Sequence, residues 1–157
     1  MDEIVVIERF FAEYEAEFNR SLAEPGAVDT SRTGAFFADC VVAASPHGVS
    51  CGKNDGTLLD HVAKGYAFYR EIGIRAMRIR VLAPTPLDRW HWGVRVGWAA
   101  GYEHAGRTGT IEFDLLYFLQ LLDGRPRIFA WIAGDEEEAL REHGLIDGPD
   151  QGGPPGG

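Results

Sequence analysis

The sequence predicts an α+β domain in which a mostly antiparallel sheet packs on helices. Three helical patterns occur before residue 73, and four long strand patterns fill residues 74–134, so helices and strands are segregated along the chain. Apolar residues alternate strictly over residues 89–102, which indicates a strand because successive strand side chains point to opposite faces. Turn signals at 103–107 and 123–126 join this strand to two further apolar runs.

Two helices are predicted in the first part of the chain. Residues 2–23 carry one apolar stripe at helical spacing, made by Ile7, Phe11, Tyr14, Phe18 and Leu22. The Glu24-Pro25-Gly26 segment ends this helix. Residues 30–39 are predicted as a second, shorter helix that begins with a Thr30 or Ser31 cap.

A short strand, a glycine-rich connection and a third helix follow. Residues 41–44 are predicted as a strand that ends at Ser45-Pro46-His47-Gly48. Residues 48–56 are predicted as a loop, and their glycine and lysine spacing does not fit a phosphate-binding loop. Helical spacing returns over residues 57–72, and Gly73 suits the position just past the helix end.

The last part of the chain holds the sheet and a short helix. A strand over residues 74–83 is closed by two prolines, and strands over 109–122 and 127–133 follow the alternating segment. Residues 135–143 are predicted as a charged helix. We expect residues 1–146 to form one domain and residues 147–157 to be a disordered tail, because the tail has nothing to bury.

Charge, cysteine and histidine content restrict the function classes. A formal net charge of −9 argues against a nucleic-acid partner, since such proteins usually carry a basic surface. The absence of a signal peptide and of an apolar span leads us to expect no membrane partner. Cys40 and Cys51 are expected to be free thiols in a reducing cytoplasm. The histidines lack metal-ligand spacing, so we expect neither a metal nor another cofactor.

Three segments stand out in this order of helices and strands: Tyr14 to Asn19 in the first helix, Phe37-Ala38-Asp39-Cys40, and Gly56-Thr57 with Tyr66 and Tyr69. The order of elements and these segments resemble the nuclear transport factor 2-like, or SnoaL-like, superfamily of ketosteroid isomerases, polyketide cyclases, limonene epoxide hydrolases and scytalone dehydratases. The first segment resembles a helix in which the isomerases carry a tyrosine followed by an asparagine, the second resembles the segment before the first strand, and the third resembles the third helix. The resemblance implies a cone-shaped curved sheet wrapped on three helices, a deep pocket between them and, commonly, a homodimer.

The candidate catalytic residues are Tyr14, His47, Arg95 and Asp114. The resemblance places Tyr14 at the oxyanion donor of the isomerases and Ser45 at their base, a role that serine fills poorly. Strand alternation puts Arg95 and Asp114 on one face, where small neighbours leave space, so we predict that both face the cavity. An Arg95 bridge to Glu112 or Asp114 would suit an epoxide hydrolase, although such pairs are more often structural ion pairs.

The predicted pocket is rich in aromatic and apolar side chains. Its substrate-binding residues are expected to be Ser45, Tyr66, Leu116, Phe118, Phe129 and Trp131. Two functions stay open: an enzyme of acid–base type acting on a small apolar molecule, or a non-catalytic ligand-binding or dimerisation module. We expect a homodimer, because the helices can cover only one face of a sheet that is apolar on both.

Overall fold

The computed structural model describes residues 2–23 and 30–147, without the side chains of residues 30 and 31. The helices are α1 (Glu3–Ala23), α2 (Thr30–Gly34), α3 (Gly56–Ile72) and α4 (Glu136–Glu142). The strands are β1 (Phe37–Ser45), β2 (Gly48–Lys53), β3 (Ile74–Pro86), β4 (His91–His104), β5 (Arg107–Leu122) and β6 (Arg125–Ala133). The predicted end of the first helix at 24–26, the cap at 30 or 31 and the tail from 148 lie outside what is described.

All six strands form one curved, unclosed sheet in the order β2-β1-β6-β5-β4-β3. Neighbouring strands are antiparallel except β1 and β6, which are parallel. The register shifts between Ile79 and Val81 and between Phe118 and Leu119, and such irregularities bend strands locally. The predicted α+β class, with its mostly antiparallel sheet, is confirmed.

Two local predictions are wrong in the first third of the chain. The second helix ends at Gly34, and residues 37–39, predicted as helix, belong to β1, where Phe37 pairs with Ile128. Residues 48–53, predicted as loop, form β2 and pair with β1. Every residue of β2 is exposed, so this edge strand has no apolar alternation by which the sequence could reveal it.

Helix α1 covers the free edge of β3, the last strand in the sheet order. The Asn19 side chain donates to the Met77 carbonyl and accepts from its N–H, both at 2.7 Å, and the Ile79 N–H donates to the Glu15 carboxylate at 2.6 Å. These bonds satisfy backbone groups that an edge strand would otherwise leave unpaired. They fix α1 against the sheet and therefore fix the wall of the cavity between them.

The even-numbered face of β4 is the face that the helices cover. Trp92, Val94, Val96 and Trp98 are all buried there, and Trp98 is only 2% exposed.

Both cysteines are free thiols, as predicted, and both are exposed. The cytoplasmic location and the single-domain organisation stay predictions. None of the described helices is long and apolar enough to cross a membrane.

Candidate functional site

A cavity of about 390 Å³ lies between the sheet and the helices. Strands β4, β5 and β6 form one wall, α1 and α3 form the other, and α4 and the β1–β2 hairpin border its mouth. Aromatic residues from both walls contribute to the lining, and they are Tyr14, Phe18, Tyr66, Phe68, Tyr69, Trp98, Phe113, Tyr117 and Trp131.

Cross-strand pairing builds the aromatic wall of the cavity. Trp98 lies opposite Phe113 on the neighbouring strand, and Tyr117 lies opposite Trp131. Residues paired in this way project from the same face of a sheet, so the four rings form a continuous surface. From the helix side, the Tyr14 ring lies 6.1 Å from both the Trp98 and the Tyr117 rings, measured between centroids.

Three polar atoms form a hydrogen-bonded chain in this wall. Trp98 Nε1 donates to the Tyr117 hydroxyl at 3.1 Å, and the Tyr14 and Tyr117 hydroxyls share a second hydrogen bond. Burial raises the pKa of Tyr14, and Tyr117 raises it further, as expected if Tyr14 is the donor. Because the Tyr117 oxygen then accepts twice, its own O–H remains to donate to a ligand.

Glu136, in the first turn of α4, brings a carboxyl group to the cavity. Its Oε2 accepts a hydrogen bond from the Tyr69 hydroxyl at 3.0 Å. Burial raises the pKa of Glu136 above its ordinary value, although the Tyr69 hydrogen bond acts in the opposite direction. The cavity therefore contains a partly buried carboxyl group that binds its proton more tightly than a carboxyl group in water.

Five of the predicted site residues border the cavity: Tyr14, Ser45, His47, Tyr66 and Trp131. His47 lies in the turn between β1 and β2, where its N–H donates to Ser45 Oγ at 3.1 Å. Its Nε2 is 3.4 Å from Asp135 Oδ1, which links the hairpin to the cap of α4. Their placement agrees with the predicted pocket, and their roles stay predictions.

The prediction that Arg95 and Asp114 face the cavity is wrong. Both are exposed on the outer face of the sheet, where Asp114 pairs with Gly97 and Arg95 with Leu116. The small residues beside Arg95 leave no cavity there, since a Cβ at Gly97 would lie 3.1 Å from the Val81 Cβ. The expected bridge from Arg95 to Glu112 is also absent from the described contacts, because Glu112 pairs with Arg80.

Leu116, Phe118 and Phe129 also lie outside the cavity, against prediction. Leu116 and Phe118 alternate with the inward-facing Tyr117 and so point away from the helices. The register shift between β5 and β6 leaves Phe129 on the outer side, with its ring 6.2 Å from that of Phe118. An alternation count from Trp131 does not anticipate this shift.

Sequence reasoning missed Glu136, Tyr69, Trp98 and Tyr117 as polar groups of the site. Glu136 belongs to the acidic run 135–138, which has the usual appearance of a solvated helix start. Nothing local indicates that this helix borders a cavity. Tyr117 and Trp98 could have been found by choosing the other sheet face, since alternation had already separated the two faces.

Replacement of Glu136 by glutamine is expected to stabilise the protein at neutral pH. Because the folded pKa is raised, protonated Glu136 contributes stability below the ordinary carboxyl pKa, and this contribution is lost as the pH rises through the folded pKa. Glutamine stays neutral and can still accept from Tyr69. Above the folded pKa of Glu136, the unfolding temperature of Glu136→Gln should exceed that of the wild type. Below the ordinary carboxyl pKa, the two unfolding temperatures should become similar.

Thermal unfolding followed by circular dichroism from about pH 4 to about pH 8 measures this difference. The exposed Glu138, in the same turn of α4, gives the matched control Glu138→Gln, which should follow the wild-type pH profile. Identical pH profiles for Glu136→Gln and the wild type would contradict the raised pKa.

This chain is similar to known proteins in its structure only. No protein-family model and no curated protein matches the sequence. A nuclear transport factor 2-like protein with a cystatin-like fold from Novosphingobium aromaticivorans superposes with a TM-score of 0.64 at 11% identity, covering 93% of this chain and 90% of that chain.

Two further solved structures agree with that result. A nuclear transport factor 2-like protein of unknown function from Shewanella oneidensis MR-1 gives a TM-score of 0.61 at 16% identity, covering 85% of this chain and 100% of that one. A ketosteroid isomerase-like protein from Erwinia carotovora atroseptica gives 0.57 at 18% identity, with coverage of 85% and 95%. The chain therefore has the nuclear transport factor 2-like fold, which is the fold of the superfamily that its sequence resembles.

Proposed function

We propose that the cavity is the active site of a small-molecule enzyme of acid–base type, with Glu136 as the group that exchanges a proton with an apolar ligand. The observation that supports this most is a carboxyl group with a raised pKa inside an aromatic cavity. A carboxyl group shifted toward the working pH can both accept and return a proton. Its hydrogen bond from Tyr69 fixes its orientation toward the ligand.

Tyr117 complements Glu136 as a hydrogen-bond donor to a ligand oxygen. Its hydroxyl oxygen accepts from Trp98 and from Tyr14, and accepting hydrogen bonds polarises its own O–H. A fixed donor in a site with little water stabilises negative charge that develops on a substrate oxygen. Tyr14, proposed from the sequence as the donor itself, then acts as a positioning residue for Tyr117.

Among the reaction types that the sequence left open, the charges of the cavity favour isomerase, cyclase or dehydratase chemistry. An epoxide hydrolase of the resembled family would need two carboxylates bridged by an arginine. The described lining residues include Glu136 and Glu137 but no arginine, and Arg95 lies on the opposite face of the sheet. Proton transfer by one carboxyl group is the chemistry that these side chains support.

A non-catalytic ligand-binding module is the second candidate. Two observations favour it: Ser45, at the position where the isomerases have their base, and the engagement of Tyr14 with Tyr117. Incubation of the wild type and of Glu136→Gln with a library of small aromatic carbonyl compounds separates the two functions. Conversion detected by chromatography and mass spectrometry, and lost in the variant, supports the enzyme. Binding without conversion in either protein supports the module.

We also propose a homodimer formed through the outer face of the sheet. Val42, Val81 and Ile132 expose 40%, 52% and 47% of their surface, and the half-buried Leu116 and Phe118 lie beside them on β5, where Leu116 pairs with Ile132. A second copy would cover this apolar face, which monomers rarely leave in water. The assignment of the outer face rests on strand alternation and on the inward direction of Trp98 and Tyr117.

Substitution of Ile132 by aspartate is expected to convert the dimer to a monomer, because it would bury a charge in the apolar contact. Sedimentation equilibrium at micromolar concentration measures the mass. Ile4→Asp is the matched control, since Ile4 is similarly exposed, at 44%, but lies on α1, which packs on the other face of the sheet. A monomeric wild type would contradict the proposal.

A further inference from the structure

The ionisable groups that face the cavity are acidic or weakly basic. They are Glu136, Glu137, His47 and four tyrosines, and none of the described lining residues is a lysine or an arginine. Arg141 is the nearest cation recorded for Glu137, at a loose 3.8 Å, and it lies outside the lining. The described lining therefore offers a ligand carboxyl and hydroxyl groups but no permanent positive charge, in a chain whose net charge is −9.

The aromatic lining next to Glu136 adds a second attraction for positive charge. Tyr69 donates to Glu136, and its ring stacks on that of Phe18 with centroids 6.1 Å apart. The faces of such rings carry the negative part of the ring quadrupole, so they attract a desolvated cation that lies within about 6 Å. Carboxylate and ring faces together are the usual surroundings of a bound ammonium group.

We infer that the ligand of this cavity is an arylalkylamine, whose protonated nitrogen lies against the Glu136 carboxylate while its apolar aromatic body contacts the aromatic wall. The inference rests on the proposed function only in taking the cavity as the ligand site, and it adds the chemical class of the ligand. A carboxylate ligand would meet Glu136 and Glu137 without a compensating cation from the described lining.

A bound ammonium group places a positive charge next to Glu136, a carboxyl group whose ionised form is disfavoured by burial. A positive charge beside a carboxyl group favours its ionised form, so a bound amine lowers the pKa that burial raises in Glu136. Wherever Glu136 is protonated in the free protein, binding an amine must release that proton to the solvent. Neutral ligands have no such effect.

Three probes with one aromatic body test the inference: naphthylmethylamine, naphthylmethanol and naphthoate. Isothermal titration calorimetry on the full chain at neutral pH should give the amine at least about tenfold tighter binding than the alcohol, with the carboxylate weakest. In Glu136→Gln the preference for the amine over the alcohol should fall to about threefold or less, with alcohol binding retained. Glu138→Gln should keep the wild-type preference.

Proton release gives an independent readout. Titrations of the amine in two buffers of different ionisation enthalpy, repeated across the acidic to neutral range, should show release in the wild type and none in Glu136→Gln. Alcohol binding as tight as amine binding in the wild type would overturn the amine inference and leave the proposed proton transfer standing. Failure of all three probes to bind would overturn the cavity as a ligand site and both proposals with it.

Discussion

Turnover should fall about 10²–10⁴-fold when Glu136 is replaced by glutamine, once a substrate is identified. Glutamine preserves the volume and can still accept the hydrogen bond from the Tyr69 hydroxyl, but it cannot take up a proton. The loss should appear mainly in kcat, because the proton transfer is removed. For an amine substrate KM should also rise, since the charge of Glu136 that attracts the ammonium group is lost. Steady-state kinetics on folded variant protein measures the effect.

Two companion variants make this result specific. Glu138→Gln changes the net charge equally on the same helix, with an exposed side chain, and should keep wild-type turnover. Tyr117→Phe removes the proposed donor to the substrate oxygen and should cost about 10²–10³-fold, the usual size for one such donor. Unchanged turnover in Glu136→Gln, with the cavity intact, would eliminate Glu136 as the acid–base group.

A loss of about 2–5 kcal/mol of stability is expected when Gly73 is replaced by alanine. Gly73 ends α3 with φ +101°, a left-handed conformation that only glycine adopts without strain. A Cβ at this position would also lie 2.2 Å from the Glu103 carbonyl oxygen, so the backbones would have to separate. The contact between them is the hydrogen bond from the Glu103 N–H to the Gly73 carbonyl, at 2.8 Å.

Chemical denaturation and thermal unfolding measure this loss, which corresponds to a fall of about 5–15 °C in the unfolding temperature. Gly124→Ala separates the two causes, because Gly124 also has a positive φ, +71°, but a Cβ there would meet nothing within 4 Å. The control should lose only the conformational part, about 1–2 kcal/mol. Equal losses in the two variants would show that the close approach to Glu103 costs nothing.

Gly73 illustrates how far the sequence alone reaches. A glycine directly after a helical pattern predicted the helix end, since that signal is local and depends on backbone conformation. The close approach of Glu103, thirty residues further along the chain, was not predictable, because it depends on the register in which β4 pairs with β3. The order of helices and strands and the α+β class were predictable for the same local reason.

The candidate site also has features that the sequence could predict and features that it could not. Tyr14 was placed correctly because it lies on the apolar stripe of α1, and a helix of this kind must turn that stripe toward the core. Arg95 and Asp114 were placed on the wrong side because alternation separates the two faces of a strand without stating which face the helices cover. The sheet is apolar on both faces near the end of β5, so hydrophobicity did not decide between them.

By itself, the sequence determined the class of the fold and the periodicity of α1, α3, β4 and β5, all of which follow from local patterns. Only the tertiary structure decided that the Trp98 and Tyr117 face of the sheet borders the cavity and that α4 adds Glu136 to it. Those two facts depend on long-range packing of the helices against one face of the sheet. A carboxyl group in a solvated acidic run acquires a raised pKa only when that packing removes its water.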